Sequence, residues 1–177
     1  LMDVTDKSSI SRGLAALPAD WQPIDVLINN AGLALGTEPA PQTALADWET
    51  MIATNVSGLV TLTHLLLPAM VARNSGMIIN IGSVAGSTPY PGGNVYGATK
   101  AFVGQFTQNL RADLAGTGVR ATNIAPGLCG GSEFWQVRMR DEEKAAKALA
   151  GTQPLMSEDI AETAYWIATL PAHVNIN

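Results

Sequence analysis

The sequence predicts a doubly wound α/β domain on a parallel sheet. Three observations carry that prediction. Short apolar runs alternate with segments of helical spacing. Two of the runs, Ile24 to Ile28 and Met77 to Ile81, are nearly continuous in Ile, Val, Leu and Met, as strands covered on both faces are. Each run ends in a turn of Asn, Gly, Ser or Pro, where the ligand crevice of such a sheet lies.

The elements follow in order. Asp6 or Thr5 caps a short helix carrying Ile10, Leu14 and Leu17, and Pro18 stops it. Ile24 to Ile28 reads as a strand buried on both faces that delivers the turn Asn29-Asn30-Ala31-Gly32. An irregular loop to Thr43 precedes a helical stretch from Leu45 to about Asn74, with Pro68 expected to kink or break it. Met77 to Ile81 is the second buried strand, ending at Gly82-Ser83. A glycine-rich loop leads to a helix from about Val95 to Leu114, then to a third strand, Val119 to Ile124, ending at Pro126-Gly127. A loop of undefined form follows. After it come a polar helix near Asp141 to Leu149 and a helix opening with a capping box at Ser157. Leu1 to Val4 reads as the close of a strand and Val174 to Asn177 as the opening of another, so both ends look cut.

Composition bounds the function. With 177 residues, 47% of them hydrophobic and 14% charged, the chain is expected to be one domain with a real core, and disorder is excluded for most of it. A net charge of -5 with scattered Lys and Arg argues against a nucleic-acid partner. The most apolar stretch, Gly58 to Ala72, is interrupted by Thr61, Thr63, His64 and Pro68 and falls short of the roughly 18 apolar residues of a membrane span, so no membrane partner is expected. The single cysteine, Cys129, leaves no internal disulfide, and with no basic-then-apolar leader a cytoplasmic setting is expected. His64 and His173 have no spacing to a metal-ligand partner, so no metal is expected.

Tyr96 and Lys100 stand one turn apart on one helix face. A phenol is too weak an acid for neutral pH, and an ammonium beside it favours the phenolate, so Lys100 is expected to bring Tyr96 into working range. Ser83, at the mouth of another strand, can bond the oxygen that Tyr96 protonates. Asn55, an amide inside a helix, is a candidate for holding a relay water toward Lys100. Each feature alone is ordinary. Their fixed order along the chain is not.

That order resembles the short-chain dehydrogenase/reductase family, over essentially the whole chain, through Asn80 to Gly86, Gly93 to Phe102 and Pro126 to Phe134. Within the family it is similar to the NADP-dependent enzymes acting on small 3-hydroxy acids. The resemblance implies a Rossmann-like single domain, residues 1–177 being a partial dinucleotide-binding and catalytic domain lacking its N-terminal strand-helix units. It implies Tyr96 as acid-base, Ser83 as substrate-positioning residue, Lys100 on the nicotinamide ribose and Asn55 in the relay. Asp3 and Val4 would meet the adenine, Asn30, Ala31 and Gly32 the adenosine ribose, and Pro126, Gly127, Leu128, Gly130 and Ser132 the nicotinamide and phosphates. NADP is the expected cofactor, with NAD as alternative, because the glycine-rich phosphate turn of the family is not in the chain. The expected partners are a hydroxy acid or carbonyl substrate and further copies in a dimer or tetramer. Rival readings are a reductase of a 3-oxoacyl thioester or sugar, or a cofactor-free, non-catalytic fragment. The run Arg138 to Lys147 is read as a solvated, mobile helix over the site, with Arg138 or Arg140 as candidates for a substrate carboxylate.

Overall fold

The computed structural model describes residues 1–177. Strands β1 (Val26–Asn29), β2 (Gly76–Ile81) and β3 (Val119–Ile124) form one parallel sheet in chain order. Ile28 stands opposite Ile79, and Ile79 opposite Thr122. Parallel neighbours need crossovers. The helices α2 (Leu45–Ile52) and α3 (Leu59–Ala72) supply the first, and α4 (Asn94–Asp113) the second.

Successive strand residues point to opposite faces, so adjacent Ile78 and Ile79 serve separate cores. On one face, Ile10 of α1 (Lys7–Ala15), Leu62 and Met70 of α3 and Leu110 of α4 close over Leu27, Ile78 and Ala121. On the other, Ala164 and Ile167 of α7 (Ser157–Thr169) cover Met77 and Ile79. Helices on both faces make the predicted doubly wound arrangement. β1 departs from the expectation of burial on both faces. It pairs with β2 alone, α7 reaches Val26 but not Ile28, and Ile28 is left 46% exposed.

The run Leu45–Ala72 is helical throughout, and Pro68 lies inside α3 without breaking it. Pro68 and His64, one turn before it, are both exposed. The carbonyl that loses its donor is therefore on the solvent side, where water satisfies it. The irregularity falls earlier, at Ala53–Gly58, which form a π-helical turn. Its extra residue shifts the helix phase: before it Met51 packs with Ala34 and Tyr96, and after it Leu62 and Met70 face the sheet. By length and composition alone this run, 28 residues with an 18-residue stretch of mean hydropathy 1.5, would suffice to cross a membrane. Here Leu59, Leu62, Thr63 and Met70 are buried within the protein.

The ends also differ from expectation. Leu1 to Asp3 is exposed and irregular rather than a strand, and a turn at Val4 and Thr5 leads to Asp6, whose carboxylate accepts the Ser8 N–H at 2.8 Å and caps α1. Val174 to Asn177 forms no ladder: its carbonyls are taken by side chains of β3, Arg120 on Val174 at 2.9 Å and Thr122 on Ile176 at 2.9 Å. Helix α7 is capped one residue earlier than read, with the Asp159 carboxylate accepting the Met156 N–H at 2.7 Å. The undefined loop contains α5 (Phe134–Met139), and the polar helix is α6 (Glu142–Leu149).

Candidate active site

All three strands open at their carboxyl ends into one cleft of about 1140 Å³. Of the residues expected at the site, Asn30, Gly32, Ser83, Tyr96, Lys100, Pro126, Gly127, Leu128, Gly130 and Ser132 line it. Asp3, Val4, Ala31 and Asn55 do not. The Asp3 carboxylate accepts the Thr5 N–H and hydroxyl, each at 2.8 Å, and these bonds hold it below the ordinary carboxylate range. Val4 packs against the core that contains Ile10.

Ser83 follows β2 in extended conformation, and its Oγ accepts the Ala85 N–H at 3.1 Å, turning the chain into a short helical turn, Val84–Gly86. Gly86 lies so close to α4 that a Cβ there would sit 2.7 Å from the Lys100 carbonyl carbon. This close approach brings Ser83 to the first turns of α4. Tyr96 and Lys100 are buried there, with Nζ 5.9 Å from the ring centre.

Burial raises the Tyr96 phenol above its ordinary value, with Ser83 and the Arg138 guanidinium pulling the other way. The expectation that Lys100 favours the phenolate is not met in this geometry. Lys100 Nζ donates to the Ile81 carbonyl at 2.8 Å, and burial lowers its own pKa to about 8. Desolvation dominates both groups. The phenol is a held proton, and the amine is close to releasing one.

Asn55 lies in the π-helical turn. Its Oδ1 accepts the Leu33 N–H at 2.9 Å, and its Nδ2 donates to the Leu33 carbonyl at 2.8 Å and to Thr99 Oγ1 at 3.0 Å. Both amide protons are committed, so for a relay water the side chain offers only the second lone pair of Oδ1. Gly32 sits close to the pair: a Cβ would stand 3.3 Å from Lys100 Nζ and 3.4 Å from Asn55 Oδ1, a tight fit. Beneath the site, Asn29 Nδ2 donates to Asn80 Oδ1 at 2.8 Å and to Thr63 Oγ1 at 3.1 Å, while Asn80 Nδ2 donates to Thr107 Oγ1 at 2.9 Å. The signal for this buried brace was an asparagine late in each of two apolar strands, and these pair in register.

Sequence reasoning missed the far wall of the cleft. Helix α5 places Phe134 5.8 Å from Tyr96, and Trp135 Nε1 donates to the Cys129 carbonyl at 2.8 Å. Burial pushes the Cys129 thiol up. Arg138, expected to be solvated, is buried instead because Tyr90, Tyr96 and Trp135 surround it.

A parallel α/β sheet gathering serine, tyrosine and lysine at its strand ends, in a cleft of dinucleotide size, defines an oxidoreductase of the dinucleotide-binding type. The chain belongs to the short-chain dehydrogenase family, whose model matches residues 1–143. It is 61% identical over 177 residues to the NADP-dependent 3-hydroxy acid dehydrogenase YdfG of Salmonella typhi, covering 99% of this chain and 71% of that protein. It is 52% identical to the serine 3-dehydrogenase of Agrobacterium fabrum, over 99% of this chain and 70% of that protein. Its fold superposes with a TM-score of 0.97 on the closed form of a serine dehydrogenase complexed with NADP+, at 60% identity, over 99% of this chain and 71% of that one.

Proposed function

We propose that the protein is an NADP(H)-dependent dehydrogenase acting at C3 of small 3-hydroxy acids. The observation that carries this reading is the convergence of Ser83, Tyr96 and Lys100 on one cleft. The residues present fit the cofactor. Gly32 leaves room for close approach beside Lys100, Gly127 has open space around it, and Lys100 Nζ has two donors beyond its bond to Ile81. In this reading Lys100 holds the nicotinamide ribose. Asn30 and Gly32 face the adenosine side, and Pro126, Gly127, Leu128, Gly130 and Ser132 enclose the nicotinamide and phosphates, all of them on the cleft wall. When bound, the nicotinamide supplies the hydride acceptor or donor for the carbinol carbon.

The chain's own residues orient the substrate and move the proton. Ser83 Oγ already accepts from Ala85, which leaves its hydroxyl hydrogen free to donate to the substrate oxygen. The raised Tyr96 phenol holds its proton at neutral pH, the state needed to protonate a carbonyl oxygen in the reducing direction. In the oxidising direction the phenol first gives up its own proton, and the phenolate oxygen then takes the hydroxyl proton. Asn55 fixes the Leu33 backbone and Thr99 around the pair. The reading includes residues 1–177 as part of one dinucleotide-binding and catalytic domain, a cytoplasmic setting, and a dimer or tetramer formed through the α2, α3 and α4 faces. Ile52, Leu65 and Phe102 are exposed on those faces.

The test is NADP+-dependent oxidation of 3-hydroxypropionate, followed as NADPH absorbance. The protein turns it over, and Tyr96→Phe lowers kcat by roughly 10³-fold, within the range for a lost acid-base group. A Tyr96→Phe variant that keeps more than about a tenth of the activity refutes the assignment.

A further inference from the structure

Arg138 is a buried cation that the core does not use and whose pull on the Tyr96 phenol is outweighed by burial. It lies on α5, 6% exposed, and takes part in none of the chain's ion pairs. Its guanidinium is held all the same. Nε donates to the Gly36 carbonyl at 3.4 Å and Nη2 to the Tyr90 hydroxyl at 3.1 Å. Its Cζ lies 5.4 Å from the Tyr90 ring centre, 5.5 Å from that of Tyr96 and 5.6 Å from that of Trp135. The Gly36 N–H returns a bond to the Arg138 carbonyl at 2.9 Å, fixing the backbone as well.

A desolvated charge without an anion is costly, and aromatic faces offset only part of the cost. Such a group persists where a ligand supplies the anion. Nη1 has no partner within the protein and Nη2 keeps its second hydrogen, together the fork that a carboxylate accepts. Arg138 lines the same cleft as Ser83 and Tyr96, and Glu133, also on the cleft wall, forms no ion pair with it. Arg140, the other candidate, is consumed elsewhere: it is exposed and pairs with Asp47 at 2.5 Å.

We propose that Arg138 is the carboxylate anchor of the substrate site and selects free 3-hydroxy acids over their esters and thioesters. This rests on the hydroxy-acid reading above. In a 3-hydroxy acid the carboxylate carbon is three bonds from the hydroxyl oxygen. One small molecule therefore places its hydroxyl on Ser83 and Tyr96 and its carboxylate on Arg138. An ester or thioester offers an uncharged acyl oxygen and leaves the guanidinium without its anion.

The experiment compares kcat/KM for 3-hydroxypropionate and its methyl ester in the wild-type protein, Arg138→Gln and Arg138→Lys, with calorimetric binding of 3-hydroxypropionate in parallel. The wild-type protein prefers the acid. In Arg138→Gln that preference falls by about 30-fold or more, as expected for loss of a hydrogen bond to a charged group, and Arg138→Lys falls between. An acid preference unchanged in Arg138→Gln, or acid and ester lost in equal proportion, overturns the proposal. If the wild-type protein turns over neither compound, the hydroxy-acid reading fails and binding alone decides. Binding of the acid that weakens in Arg138→Gln supports the anchor; binding that is undetectable in the wild type or equal in both overturns it. Thermal unfolding shows whether Arg138→Gln folds, and if it does not, Arg138→Lys carries the comparison.

Discussion

Replacing Lys100 by methionine should make the protein more stable while removing its activity. The ammonium is only 8% exposed and has no anion beside it, and burial lowers its pKa from 10.5 to about 8. At 1.36 kcal/mol per pH unit, that difference is a burial cost of about 3 kcal/mol when both folded and unfolded chains carry the charge, as they do below pH 8. Methionine fills similar space without the charge but leaves the Ile81 carbonyl without its donor, a loss of about 1 kcal/mol. The net gain at pH 7 is about 2 kcal/mol, or a Tm higher by roughly 4–8 °C for a chain of this size. The sign of the pH dependence follows from a folded-state pKa that is depressed. Between pH 8 and 10.5 the unfolded chain holds the proton and the folded one has released it, so wild-type stability from this group rises with pH. The advantage of Lys100→Met therefore shrinks from pH 8 upward, vanishes at about pH 9.5 and is fully reversed by 10.5, where only the lost bond remains. Tyr96 titrates in both proteins and cancels in the difference. Urea unfolding of the two proteins at pH 7 and pH 10, followed by circular dichroism, measures it. A variant less stable at pH 7, or an equal difference at both pH values, refutes the reasoning.

Other substitutions probe the frame that carries the site. Ile10→Ala empties a fully buried position between α1 and the sheet and should cost about 2–5 kcal/mol in denaturant unfolding. Asn80→Leu removes a partner from both Asn29 and Thr107 and should cost about 2–4 kcal/mol, with kcat falling less than in Tyr96→Phe because the damage lies beneath the cleft. Gly92→Ala forces a side chain into a left-handed turn (φ +76) and onto the Thr37 carbonyl, and should lower the Tm measurably, a change that Gly127→Ala, in open space, should not share.

Much of the fold was legible because β2 is a short, continuous apolar run bounded by Gly76 and Gly82, which marks a strand covered on both faces. β1 was over-read for the same reason: Val26 to Ile28 is as apolar as β2, and nothing local says that Ile28 lacks a cover. Pro68 misled because the rule against internal proline assumes a buried carbonyl, and this one faces water. The π-helical turn is invisible to periodicity since six residues are too few to separate its repeat from that of an α-helix. At the site, spacing put Tyr96 and Lys100 side by side but not the direction of Nζ, which the Ile81 carbonyl decides. The enclosure of Arg138 was hidden because its three rings come from residues 90, 96 and 135, on three separate segments.

The π-helical turn also sets a rule for how this chain can change. Loss of one residue within Ala53–Gly58 would relax it to an ordinary α-helix and rotate one half of the run against the other by about 100°. Either Met51 would leave the wall behind Tyr96, or Leu62 and Met70 would leave the sheet. No single substitution elsewhere restores both. An exposed stretch such as Pro39 to Gln42 can absorb insertions and deletions, but the interval from Met51 to Leu62 is fixed to the residue. Descendants of this sequence are free to vary its letters there, within the demands of packing, and are not free to vary its count.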